Sequence, residues 1–208
     1  NCLAHQDYAQ AGRVVVEELA GRLRLTNRGG FVDGRPEDYF DGSRTPEIYR
    51  NPRLAQAMNL VGMIDKGGYG IRDMVAAQRK RFLPLPDYEG SSANQTVFNI
   101  YGQTIDENYS KLLMERSDLP LEQVVWLDRV QKRQKVDPIH IAELRKAGLI
   151  EGRKPHWTVS AGVAAATNAQ SEYILNRGFS DDYYKDLILR RLEKFGPTSG
   201  RELRNLIW

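Results

Sequence analysis

The stretch from Leu144 to Lys154 constrains this chain more than any other. It reads Leu-Arg-Lys-Ala-Gly-Leu-Ile-Glu-Gly-Arg-Lys. Gly148 can take the left-handed conformation that closes a helix, so a helix ends at Ala147 or Gly148. Leu149 and Ile150 follow at once and read as buried. A short basic turn then runs through Lys154 and Pro155, and His156-Trp157-Thr158-Val159 reads as a strand.

Helix, buried apolar pair and basic hairpin is the order in which a winged helix-turn-helix is written. Residues 106–116, 120–132 and 137–147 read as its three helices and 149–159 as its wing. Such modules bind nucleic acid or another protein more often than they catalyse. The charge distribution agrees. The whole chain carries only +3, too little for global steering toward nucleic acid. Residues 129–154 hold Arg129, Lys132, Arg133, Lys135, Arg145, Lys146, Arg153 and Lys154 against Asp137, Glu143 and Glu151. That local surplus exceeds the chain's own. If Ile141 and Leu144 face the core, the third helix turns Ile139, Ala142, Glu143 and Lys146 outward. Glu143 repels phosphate, so base readout by that helix is weak. Lys132, Arg133, Lys135, Lys146, Arg153 and Lys154 are the DNA-contact candidates, with the wing pair Arg153 and Lys154 foremost. The bland alternative is a solvated charged face, with Ile139 and Ala142 offering a protein-binding surface instead.

The first half has a different texture. Residues 13–19 and 22–26 read as a hairpin turned at Ala20-Gly21, because Arg22-Leu23-Arg24-Leu25 alternates as a half-buried strand does. Residues 31–50 read as an exposed loop. Asn51-Pro52 opens a helix with Leu54, Ala57, Met58 and Val61 at helical spacing. Gly67-Gly68-Tyr69-Gly70 interrupts it, and a second helix carries Ile71, Met74 and Val75 until Pro84 and Pro86 stop it. Residues 95–101 alternate and return to the sheet. Gly102 to Asp106 is the expected boundary. The expected fold is α+β: a small antiparallel or mixed sheet with helices over 1–103, a winged helix-turn-helix over 104–160, and a helical linker with the start of a second winged helix over 161–208.

Three features of the first half come in a set order. Asn1-Cys2-Leu3-Ala4-His5 lies on a helix, Asn27-Arg28-Gly29-Gly30 follows a strand, and Gly68-Tyr69-Gly70-Ile71 opens a helix. A glycine pair after a strand lets backbone approach a ligand, and Gly-x-Gly at a helix N-terminus can receive phosphate. Each alone is more often a plain turn, and His5 is more often a packed or surface histidine than a base. In this order, with Arg50-Asn51-Pro52 between the last two, the segments resemble the C-terminal part of the bacterial RecG-related, or helicase-related, transcriptional regulators. Gly148 to Arg153 and Asn176 to Phe179 resemble that family's winged-helix tail. Family members typically carry an N-terminal Schlafen-like domain.

The resemblance implies a reduced Bergerat-type (GHKL-like) ATP-binding fold. On it, Asn1 would match the magnesium-binding asparagine, Asn27, Gly29 and Gly30 the adenine-contacting motif, and Gly68 and Gly70 the phosphate-side glycine box. That adenine motif begins with Asp, and Asn27 offers a neutral acceptor in its place. The resemblance therefore implies weak or no nucleotide binding and no hydrolysis. Mg–ATP follows from the resemblance alone, and Asn1 would touch metal only with Mg–ATP bound. No catalytic residue and no zinc pattern is assigned, and the helicase label has no motor motif behind it. The reading is a DNA-binding transcriptional regulator fragment with a sensing or dimerisation core. Its alternative is an ATP-binding module used as a nucleotide switch or weak ATPase.

The remaining expectations are negative or general. One cysteine, Cys2, excludes an internal disulfide framework and favours a reducing, cytoplasmic setting. No apolar run suits a membrane. DNA is the expected partner of the full-length protein, with homo-oligomerisation. The chain begins at Asn1 without Met and stops at Leu206-Ile207-Trp208 in an apolar stretch, so it reads as part of a longer protein.

Overall fold

The computed structural model describes residues 1–40, 44, 48–64 and 70–161, with isolated positions at 185, 188, 189, 192, 196, 197, 199 and 200. The described elements form an α+β chain of small antiparallel sheets and helices. Two compact units divide it: 1–79 with 83–103, and 80–82 with 104–208. Gly68 and the helix-compatible stretch 161–169 lie almost wholly outside the described residues. So do most of the helix read over 181–195 and the start of a second winged helix.

Unit 1 begins with a single helical turn, α1 (Cys2–His5), and a hairpin, β1 (Val15–Leu19) and β2 (Arg22–Arg28). Gly21 makes the turn at φ +78°. A 3₁₀ turn over Pro36–Tyr39 sits within the stretch read as loop. Then come α2 (Pro52–Leu60), α3 (Gly70–Lys80) and β3 (Gln95–Tyr101). The sheet order is β1-β2-β3, all antiparallel, with Leu25 opposite Val16 on one side and Phe98 on the other.

Two details differ from the pattern in the sequence. The side chains of β3 that bury are Val97, Asn99 and Tyr101, and Arg24 rather than a leucine lies opposite Asn99. Leu23 stays 42% exposed. Polar Asn99 can occupy the buried face because its amide donates to Asp87 Oδ1 (2.9 Å) and its oxygen accepts from Arg24 Nε (3.3 Å). α3 also ends before either proline. Phe82 takes a left-handed conformation (φ +58°), and Leu83 N–H donates back to Gln78 O. Gln78 then ties the chain to Pro84 O (3.0 Å) and Tyr101 O (2.7 Å).

Unit 2 holds α4 (Glu107–Glu115), α5 (Leu121–Gln131), α6 (Pro138–Lys146) and a hairpin of β4 (Ile150–Arg153) and β5 (His156–Val159). Asp106 caps α4 by accepting from Asn108 N, and Asp137 caps α6 by accepting from Ile139 N, with Pro138 in the first turn. Leu112, Val124, Leu127, Leu144, Leu149 and Val159 are fully enclosed. They fall at the helical and strand periods that bring one face inward. Gly148 closes α6 at φ +69°, as its sequence position required.

Candidate functional site

In unit 1 the residues singled out by order converge only in part. Asn1 caps α1 through its carbonyl, which accepts from His5 N–H (2.9 Å). A methyl group added at Gly70, the first residue of α3, would stand 3.4 Å from the Asn1 amide nitrogen. Asn1 and Gly70 are therefore neighbours. Among the described residues the Asn1 carboxamide has no hydrogen-bond partner.

The glycine pair is used differently. Gly29 N–H donates to Asn94 O (2.9 Å) and Gly30 N–H to Ala93 O (3.1 Å). Both amides are thus committed to their own chain. A Cβ at Gly30 would stand 2.5 Å from Ser92 O. A Cβ at Gly29 would stand 2.7 Å from the Arg50 guanidinium carbon, and Gly29 has φ +90°. The close approach Gly30 permits is taken by the Ser92-Ala93 backbone, and that at Gly29 by Arg50. That guanidinium donates to Gly30 O (2.8 Å) and to the Asp7 carboxylate (3.4 Å), and its Nε is buried without a partner. Asn27 is buried and donates to Arg28 O (3.1 Å) and His5 O (3.4 Å). Its amide joins β2 to α1.

Three residues outside the predicted site, Asn51, Gln6 and Asp7, complete this junction. Asn51 donates to Ala4 O (2.9 Å) and Gln6 O (2.7 Å), and Gln6 Oε1 accepts from Arg28 N–H (2.9 Å). Asp7 N–H donates to Arg28 O (2.9 Å). The signal was the triplet Arg50-Asn51-Pro52: the proline starts α2 and leaves the two side chains before it to face α1 and the glycine pair. His5 stacks beside Tyr49 with ring centres 6.2 Å apart. Desolvation lowers its pKa below the ordinary histidine value, and the positive charge of Arg50 lowers it further.

In unit 2 the candidate cations separate into two kinds. Arg133, Lys135, Lys146, Arg153 and Lys154 are exposed. Lys132 does not join them. Its ammonium sits 2.7 Å from Asp128, one helical turn back, and the two side chains are only 3% and 7% exposed. Gln131 donates to the same carboxylate (2.8 Å). Arg133 itself is the left-handed residue that closes α5 (φ +56°), with its N–H on Val130 O and Gln134 N–H on Arg129 O. Ile139 is 66% exposed, and Ala142, Glu143 and Lys146 face outward, as the helical wheel required. Arg145 lies over Trp157 of β5 at 5.2 Å from the ring centre, so α6 holds the hairpin by its own cation. Trp126 stacks on His140 at 3.8 Å and joins α5 to α6. At the hairpin, a Cβ at Gly152 would stand 2.5 Å from His156 O, which requires glycine there and leaves Arg153 and Lys154 at the tip.

Residues 12–99 match the family described as "Putative ATP-dependent DNA helicase recG C-terminal". That match marks a RecG-related ATPase-like domain. Apart from residues 80–82 it falls in unit 1, and it leaves out Asn1 and α1. No curated protein matches the chain. A solved structure, the DIP2311 protein from Corynebacterium diphtheriae, is similar at 18% identity with a TM-score of 0.42. The similarity covers 79% of this chain but only 39% of that one, so this chain spans well under half the length of its neighbour. No helix among the described residues is long and apolar enough to cross a membrane.

Proposed function

We propose that this chain is part of a DNA-binding transcriptional regulator, in which unit 2 is a winged helix that contacts duplex phosphates. The observation that carries the reading is the exposed pair Arg153 and Lys154 at the tip of a hairpin that directly follows three helices. Arg133, Lys135 and Lys146 extend the cationic surface. The outward face of α6 supplies an exposed isoleucine and a glutamate, so phosphate contact outweighs base readout. Anisotropy titration of a labelled duplex at low salt tests this. Binding is expected, with affinity falling steeply as salt rises because released counterions drive it. No binding at low salt would end the reading.

A second reading rests on the ATPase-like domain: unit 1 binds a nucleotide as a switch. The neighbouring Asn1 and Gly70 favour it. On the resemblance to a GHKL-like fold they would stand at its magnesium-side and phosphate-side positions, where the Asn1 carboxamide would hold magnesium. Against it, Arg50 occupies the space beside Gly29. Nucleotide would enter there only if that side chain moved. Calorimetry with a non-hydrolysable ATP analogue and magnesium separates the cases. Weak or no heat is expected from the parent. Submicromolar binding by the parent would favour the switch.

A further inference from the structure

The three-stranded sheet treats its two edges unequally. Along β3 the outer edge is covered: Asp87 and Asn99 exchange backbone hydrogen bonds (3.1 and 2.9 Å), and Ser92 N–H donates to Gln95 O (2.9 Å). Along β1 nothing among the described residues pairs with the outer edge, and β1 is terminal in the sheet order. Val16 is 61% exposed there, with Glu17 and Glu18 exposed after it and Arg13 exposed before it. A bare edge strand is a template for another strand, and charges on it reject strands that cannot answer them.

We propose that β1, together with residues 11–14 that lead into it, pairs antiparallel with the same segment of a second copy of this chain, centred on Val15, so that the two sheets become one. The register follows from symmetry and charge. A two-fold axis between antiparallel strands stands perpendicular to the sheet and keeps each side chain on its own face. Facing residues must then be an even number of positions apart. Both present their N–H and C=O to the partner, or both present them inward, so the ladder forms without conflict. Centring on Val15 sets Val15 against itself, Val14 against Val16, and Arg13 against Glu17 on both sides of the axis. Centring on Val16 instead sets Val14 against Glu18 and Val15 against Glu17. Centring on Glu17 or Glu18 sets a glutamate against itself. The Val15 register alone joins valine to valine and cation to carboxylate.

A ladder this short buries little area, so the pair belongs to the weak, reversible class, with a dissociation constant on the order of 10–100 µM. Sedimentation velocity of the 208-residue chain over a concentration series tests it, with far-UV circular dichroism to verify the fold of each variant. Arg13→Glu is expected to weaken dimerisation about tenfold or more, because like charges then face each other twice, and Glu17→Arg to do the same. The charge-swapped double variant is expected to return to within about threefold of the parent. On the unaltered chain, hydrogen exchange at residues 14–16 should slow as concentration rises. A parent that stays monomeric at about 500 µM would overturn the proposal. So would single variants that dimerise like the parent, a double variant that fails to recover, or exchange that ignores concentration.

Discussion

Unit 1 and unit 2 each rely on a different chemistry for their internal packing. In unit 2 the helices and hairpin meet through aliphatic side chains: Leu112, Val124, Leu127 and Leu144 are entirely removed from solvent, and Leu149 nearly so. Unit 1 buries apolar side chains too, among them Val75, Leu85 and Val97, but amides tie its elements to one another. Asn51 fixes α1, Asn27 joins β2 to α1, Gln78 ties α3 to β3, and Asn99 ties β3 to the chain at Asp87. An aliphatic joint stabilises by area and tolerates some slip. An amide joint fixes register, and losing it leaves backbone carbonyls unsatisfied. The ATPase-like unit is therefore the one whose geometry depends on a few polar atoms, and the helix-and-hairpin unit the one whose stability depends on volume.

The largest test of that contrast is Leu127→Ala. It should lower the stability of unit 2 by about 3 kcal/mol through lost burial and a residual cavity. Trp126 and Trp157 both lie in unit 2, so urea unfolding followed by tryptophan fluorescence reads it out. Asn51→Ala should act on unit 1 instead, costing about 2 kcal/mol, because two carbonyls lose their donor. Its signature is faster exchange of the Asp7 amide, which depends on the same junction. A loss of tryptophan stability in this variant would contradict the division.

A smaller effect, of opposite sign, is expected at Arg133. Its left-handed conformation strains any residue with a Cβ, so Arg133→Gly should stabilise unit 2 by about 1 kcal/mol in the same urea experiment. The smallest effect is a pH dependence. His5 has a lowered pKa when folded, so below its ordinary value of 6.5 the unfolded chain takes up the proton first. Its contribution is therefore fully present above pH 6.5 and is lost as pH falls through the lower folded value. His5→Gln should flatten the stability of unit 1 across that acid range.

The same contrast explains what could be read from the sequence. Aliphatic joints repeat at the period of their element, so α4, α5, α6 and the hairpin were legible to within a residue or two. The alternation at residues 22–25 gave β2, and Ala20-Gly21 gave its turn. Alternation did not tell which face is buried, because Asn99 sits inside, paired with Asp87 and Arg24. The cap at Gly148 was legible because glycine announces left-handed backbone. The equivalent caps at Phe82 and Arg133 were not, since neither residue type favours that conformation. Lys132 counted as a surface cation because charge counts ignore the partner one turn away, and Asp128 holds it inside. Arg50 was visible only as one letter of Arg50-Asn51-Pro52. Its place beside Gly29 needed the third dimension.

The proposed DNA contact rests on the hairpin tip, and the most direct measurement is the salt dependence of duplex binding by the Arg153→Ala/Lys154→Ala double variant. If the wing holds phosphates, affinity falls and the slope of log affinity against log salt drops by about two, one for each lost contact. Lys146→Ala should change the slope less, because Glu143 lies beside it on α6. An unchanged affinity and slope in the Arg153/Lys154 double variant would contradict the account.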